Sequence, residues 1–283
     1  MPSAKSQPVW AGSLFYLGLS SLTMWLNLSL VESLLSTDTI CRRLIYVTST
    51  GSTQDVARSE AEAGAAAGTV VLAEEQTAGR GRFGRTWVSP AGTNLYFTII
   101  LQPPLSRLRS LSIVAPLAVA RAVQTISGLD ARIKWPNDVL LGGRKFSGVL
   151  IETEVAGESV RYALIGIGIN VNFDVTAATD IAAIATSLKQ EAGQELPREE
   201  LLARLLNEFE RMYQEPASGT AVLEEWKARL ETLGRAVTVS FRDQTYEGLA
   251  EGVDADGSLL LRLADGSLVT LEAGEVSLRS PAG

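Results

Sequence analysis

Three arginines and three glycines fall within the seven residues Gly79–Arg85, in the stretch GRGRFGRTW that Trp87 closes. Glycine lets successive backbone N–H groups approach a ligand closely, and arginine supplies planar, permanently charged donors that match carboxylate and phosphate. A solvated basic loop of the kind that contacts RNA would explain the arginines, but not their placement after a buried strand and before an aromatic. The chain carries a net charge of −7. Bulk electrostatics therefore disfavour nucleic acid, and a local cluster of guanidinium groups points to a specific small anion.

Three further stretches carry chemistry. In KWPND (Lys134–Asp138), Pro136 excludes helix and sets a turn from which Asn137 and Asp138 project. Asn137 offers both a donor and an acceptor, and Asp138 could coordinate Mg²⁺ or accept a proton. Taken alone, Pro-Asn-Asp reads equally well as a plain turn. In GRKFSGVLIE, Lys145 follows the Gly142–Gly143 turn into a strand, where Gly148 permits close backbone approach. In GIGINVN (Gly166–Asn172), alternate glycines leave space on one face of a buried strand that Asn170 and Asn172 end.

Composition removes much other chemistry. There is no histidine, which excludes Ser-His-Asp triads, imidazole bases and every His-containing zinc site. The single cysteine, Cys41, can form neither an internal disulfide nor a thiolate metal cage and reads as an ordinary buried residue. Reactivity must rest on Lys, Arg, Asp, Glu, hydroxyls and backbone.

The elements that must position these groups are readable in outline. Residues 42–47, 69–76 and 94–102 read as strands, and a helix capped by Ser52 or Thr53 is expected to end at Gly68. Residues 111–127 read as a buried helix with Pro116 early in it and Gly128 at its end. Strands around Ile133, Val139, Lys145–Val155 and Val160–Asn172 follow, then helices over 198–213 and 220–233. After Gly234 short strands alternate with the turns DADG and ADG, a pattern expected of a small all-β barrel. Before Asp38 the chain is different. Val9–Val31 carries no charge and is long enough to span a bilayer, yet holds six Ser, Thr or Asn residues. Membrane anchor, packed helix and stretch upstream of the true start all remain open from sequence, the anchor ranking below the other two together.

Together these motifs resemble those of the biotin protein ligases, in that family's order and approximate spacing. STGSTQDVA (Ser49–Ala57) resembles the family's Ser-Thr-Asn segment with Gln54 where asparagine is usual, and GEVSLRS resembles the end of its small barrel. The resemblance covers roughly Thr39 to Ser280. It implies an α+β fold, a mixed sheet backed by helices followed by an SH3-like β-barrel. The domains would be an apolar extension (1–38), a catalytic domain (39–233) and the barrel (234–283). Some members of that family are also DNA-binding repressors through an N-terminal winged helix. The roughly 38 mostly apolar residues before the body, with almost no basic side chain, are too few for one, so a ligase without that domain is expected. Such an enzyme joins biotin and ATP into biotinyl-5′-adenylate and acylates one lysine of a biotin carboxyl carrier domain.

By motif, biotin would meet Ser52, Thr53, Gln54, Gln76, Gly79, Arg80, Gly81, Arg82, Lys145 and Gly148. ATP would meet Arg80, Arg82, Arg85, Trp87, Lys134, Asn137, Lys145 and Asn170. Lys145, Arg82 and Asp138 would carry the chemistry, with Mg²⁺ accompanying ATP and Asp138 its candidate ligand. A cytoplasmic location and a homodimer belong to the same expectation. The alternatives are a lipoyl or octanoyl ligase of the same superfamily and a membrane-tethered biotin-binding module.

Overall fold

The computed structural model describes residues 25–178, 180–215 and 220–278. Most of the uncharged N-terminal stretch thus lies outside the described residues. Among those described, no helix is long and apolar enough to cross a membrane.

A seven-stranded sheet forms the larger body. Its strands are β1 (Leu44–Val47), β2 (Val70–Ala73), β3 (Leu95–Leu101), β4 (Arg132–Lys134), β5 (Asp138–Leu141), β6 (Arg144–Ala156) and β7 (Ser159–Ile169). They run in the order β1-β2-β3-β7-β6-β5-β4. Only β1 and β2 pair in parallel, so the sheet is mixed as expected.

The helices are α1 (Leu28–Leu34), α2 (Thr53–Glu62), α3 (Leu111–Ser127), α4 (Leu188–Ala192), α5 (Arg198–Gln214) and α6 (Thr220–Arg229). Helix α3 is apolar nearly all round and packs in the main core, and Gly128 in the left-handed conformation ends it. Helix α2 covers part of the opposite face, where Ala57 and Ala61 meet Val71, Ile100 and Leu164. It stops near Gly64, at φ 87°, rather than at Gly68. Gly68 serves another purpose: a Cβ there would lie 2.3 Å from the Thr39 carbonyl oxygen. Helix α6 ends at Arg229, earlier than expected, because Leu230 and Glu231 turn to pair with Ile133 of β4.

The expected boundary at Asp38 is too late. Leu26 and Val31 are buried in the main core, and α1 packs on α5. The Leu26 N–H donates to Glu74 Oε1 at 2.7 Å, and Glu74 also pairs with Arg198 at 2.7 Å. Further along, the Glu210 carboxylate accepts the N–H groups of Asp38, Thr39 and Ile40. Residues 25–38 thus belong to the folded body.

The C-terminal unit holds β8 (Ala236–Phe241), β9 (Gln244–Val253), β10 (Leu259–Leu263), β11 (Leu268–Leu271) and β12 (Glu275–Leu278). They form an antiparallel sheet ordered β11-β10-β9-β8-β12, and among the described residues no ladder joins β11 to β12 to close a ring. It is fastened to the larger body by the Trp135 indole, which donates to the Gly257 carbonyl at 2.9 Å.

Candidate active site

The site lies on the part of the large sheet's face that α2 leaves uncovered. Side chains alternate across a strand, so Ile165, Ile167 and Ile169 of β7 enter the main core while Gly166 and Gly168 face the other way. A Cβ at Gly168 would lie 2.6 Å from the Trp87 indole nitrogen, and one at Gly166 would lie 2.8 Å from Gln54 Nε2. The two glycines create the room that Trp87 and Gln54 fill.

Strict alternation along β6 would send Lys145 to the same side as Val149 and Ile151, which is the core. It does not go there. Val139 pairs with Ser147 and Leu140 with Lys145, so Phe146 is an extra residue opposite β5. This bulge turns Lys145 to the face of Gly148, whose Cβ would meet Lys145 Nζ at 3.0 Å. Lys145 Nζ sits 5.3 Å from the centre of a Trp87 ring and 2.6 Å from Asp138 Oδ1. Backbone bonds from Lys145 N to the Ile184 carbonyl (3.0 Å) and from Thr186 N to the Lys145 carbonyl (2.9 Å) hold it from the far side.

The glycine-arginine run folds into a small hairpin. Gly81 N donates to the Arg85 carbonyl at 2.7 Å and Trp87 N to the Gly79 carbonyl at 2.9 Å. The three arginines have different partners. Arg80 pairs with Asp55 at 2.7 Å, and Arg85 pairs with Glu275 of β12. Arg82 donates only to a neutral oxygen, Asn137 Oδ1, at 2.9 Å, and makes no ion pair among the described residues. Burial lowers its pKa, opposed by the nearby Asp138 carboxylate. Of the three, Arg82 therefore carries the charge still available to a ligand.

Two cavities meet here. The first is lined by Ser52, Thr53, Gln54 and Gln76 with Leu150, Gly166 and Gly168. Its polar groups are tied together: Gln76 Oε1 accepts from Thr53 N (2.9 Å) and Thr53 Oγ1 (3.2 Å), and Gln76 Nε2 donates to Ser89 Oγ at 3.0 Å. The second, about 570 Å³, is bounded by Lys134, Asp138 and Asn170, by the segment Ala183–Ala185, and by Gly274–Ser277 of the C-terminal unit. Burial lowers the Lys134 pKa, with Asp138 opposing the shift. Arg82, Lys145, Trp87, Asn137 and Gly81 line both cavities. Such a site can hold two ligands end to end, with an ammonium and a guanidinium at their junction.

Residues 45–170 match the Biotin/lipoate A/B protein ligase family, and residues 232–279 match the Biotin protein ligase C terminal domain. Over 257 residues the chain is 32% identical to the biotin--[acetyl-CoA-carboxylase] ligase of Mycobacterium tuberculosis, covering 88% of this chain and 93% of the relative. The chain belongs to the biotin protein ligase family. The ligase of the same name from Paracoccus denitrificans is 40% identical over 214 residues, covering 73% of this chain and 88% of that one. Among solved structures, the biotin protein ligase from Aquifex aeolicus in complex with biotin and ATP superposes with a TM-score of 0.73 at 30% identity. That match covers 84% of this chain and 99% of that one.

Of the site residues read from sequence, all but Gly79 line one of the two cavities of this ligase-family fold. Gly79 instead closes the hairpin, since a Cβ there would lie 2.5 Å from the Trp87 carbonyl oxygen. Sequence reading missed Leu150 and the Ala183–Ala185 wall. It noted the space beside Gly166 and Gly168 without placing either among the ligand contacts. The alternating glycines were the available signal; Ala183–Ala185 carries none.

Proposed function

We propose that this chain joins biotin to ATP and passes the biotinyl group to a lysine of a biotin carboxyl carrier domain. The observation that carries the reading is the position of Lys145 and Arg82 on the seam between two cavities. The first cavity, polar at Ser52, Thr53, Gln54 and Gln76, suits the ureido ring of biotin. The second suits the nucleotide, with Trp87, Lys134, Asn137 and Asn170 about it and Arg80 and Arg85 on the hairpin alongside. Their junction is where the biotin carboxylate and the α-phosphate would meet.

In the first step a carboxylate oxygen attacks the α-phosphorus, and pyrophosphate leaves with the bonding pair. Both reactants are anions. Lys145 and Arg82 would offset their repulsion and stabilise charge developing on the phosphoryl oxygens. In the second step a lysine amine attacks the acyl carbon, AMP leaves, and the amine gives up a proton, for which Asp138 is the nearby carboxylate. The adenylate is water-sensitive, and the hairpin with the C-terminal unit would shield it.

Mg²⁺ fits the site only as a companion of the triphosphate. No cluster of three acidic or thiol ligands exists among the described residues. One carboxylate together with phosphate oxygens is an ordinary Mg²⁺ environment, and Asp138 is the residue that would share it. Bound there, the ion would neutralise phosphate charge. The acceptor proposed here, a carboxylase carrier domain, matches the carboxylase in the names of the two relatives. A ligase consuming ATP is expected in the cytoplasm.

The test is biotin-dependent exchange of pyrophosphate into ATP by the purified full chain. Exchange with biotin and none with lipoate or octanoate supports the reading; no exchange by folded protein overturns it.

A further inference from the structure

Phe83 sits at the tip of the glycine-arginine hairpin and goes against local preference there. Arg85 N donates to the Arg82 carbonyl at 3.2 Å, closing a turn whose central residues are Phe83 at φ 56° and Gly84 at φ 73°. A turn with two left-handed central residues favours asparagine, aspartate or glycine at the first of them. The Cβ of a phenylalanine makes that conformation unfavourable. Phe83 is also 63% exposed and lines the second cavity. A single exposed aromatic is ordinary on a protein surface, but one held in a disfavoured conformation calls for a compensating contact.

That contact is with its neighbour. The guanidinium carbon of Arg82 lies over the Phe83 ring, 4.9 Å from its centre. In an extended strand neighbouring side chains point to opposite faces, and the turn at Phe83 is what lets the two meet. Arg82 also donates to Asn137 Oδ1, and Asn137 is itself fixed, its Nδ2 donating to the Val149 carbonyl at 2.8 Å. Arg80 and Arg85, in the two legs of the hairpin, are tied to Asp55 and Glu275. Ion pairs thus hold the frame, while Arg82 rests on one neutral oxygen and one ring.

We propose that Phe83 is a positioning residue, whose ring backs the Arg82 guanidinium and holds its charge toward the seam of the two cavities, so that the anionic adenylate is retained. A ring face attracts a cation without neutralising it, as a carboxylate would, so Arg82 is fixed and still available to a phosphate. The inference rests on the ligase reading above and adds the residue that aims Arg82.

The experiment forms radiolabelled biotinyl-adenylate on the full chain from labelled biotin and ATP, then follows its loss during a chase with excess unlabelled adenylate. Phe83→Asn removes the ring but suits the turn, since asparagine tolerates the left-handed conformation. Phe83→Leu keeps bulk without a π-face, and Phe83→Tyr keeps the π-face. Phe83→Asn and Phe83→Leu should release adenylate about two- to fivefold faster, Phe83→Asn without loss of Tm, and Phe83→Tyr should release it at the unaltered rate. In an Arg82→Gly background Phe83→Asn should add nothing, because the group through which Phe83 acts is gone. Unaltered release from Phe83→Asn or Phe83→Leu, fast release from Phe83→Tyr, or the same acceleration with and without Arg82 would overturn the proposal. Failure of the unaltered chain to form adenylate at all would instead remove the ligase reading on which it stands.

Discussion

Lys145 Nζ and Asp138 Oδ1 lie 2.6 Å apart at the junction of the two cavities. A substrate anion that approaches Lys145 must compete with this internal counter-ion. The pair holds the ammonium in place over the Trp87 ring until a carboxylate or phosphate arrives.

Lys145→Ala should remove an electrostatic contact formed with developing charge. Such a loss is on the order of 3–4 kcal/mol, a fall of about 10²- to 10³-fold in the rate of biotin-dependent pyrophosphate exchange. Exchange at the unaltered rate would show that Lys145 is a bystander.

Asp138→Asn keeps the shape of the turn but removes its negative charge. Adenylate formation should persist, since Lys145 loses a competitor, while transfer from preformed biotinyl-adenylate to a carrier domain should slow. A single-turnover assay separates the two steps. Unchanged transfer would leave Asp138 only its metal and ion-pairing roles.

Arg82→Gly should release adenylate early. Arg82 is the arginine of the hairpin that lacks an ionic partner among the described residues, so its charge is the one a phosphate can claim. Loss of a charge-assisted hydrogen bond costs about 1.5–3 kcal/mol, roughly a tenfold to hundredfold faster escape. Biotin appearing on an unrelated bystander protein measures it, with adenylate synthesis matched between variants. Labelling no higher than that by the unaltered chain would refute the latch.

Removing the chain before Ser33 should destabilise the protein, contrary to what its uncharged N-terminus suggests. Val31 is fully buried and Leu26 nearly so. Val31→Ala alone deletes two buried carbons, about 1.6 kcal/mol by transfer, which corresponds to a fall in Tm of roughly 3–6 °C. A chain beginning at Ser33 with an unchanged Tm would show that α1 packs without contributing.

Burial pushes the Cys41 thiol up from 9.0 to about 12. Because the folded pKa is raised, this group's contribution to stability is complete below about pH 9 and is lost as pH climbs toward 12. In native protein at about pH 9, where an unfolded thiol is substantially ionised, alkylation by iodoacetamide should be slow, and urea should make it fast. Rapid native labelling would mean that the Cys41 region opens readily.

Residue identity and local periodicity determined a good deal about this protein. The arginines in Gly79–Arg85, the lysine beyond a Gly-Gly turn and the absence of histidine point to anion chemistry without imidazole, because those side chains have those charges in any fold. The alternation Ile165–Gly166–Ile167–Gly168–Ile169 already marks one full face and one empty one. Gly128 marks the end of α3 because a left-handed residue after a helix favours glycine. What local pattern could not supply is the partner of each group. The bulge at Phe146 overrides strict alternation and turns Lys145 out of the core. Pairing with Asp55 and Glu275 engages Arg80 and Arg85 and leaves Arg82 available. The wall Gly274–Ser277 comes from another unit of the chain, and Leu26 is buried through Glu74, 48 positions away. These contacts join residues far apart in the chain. Which of many chemically similar pairs meet is decided by the packing of the whole fold, and no short window of sequence contains that information.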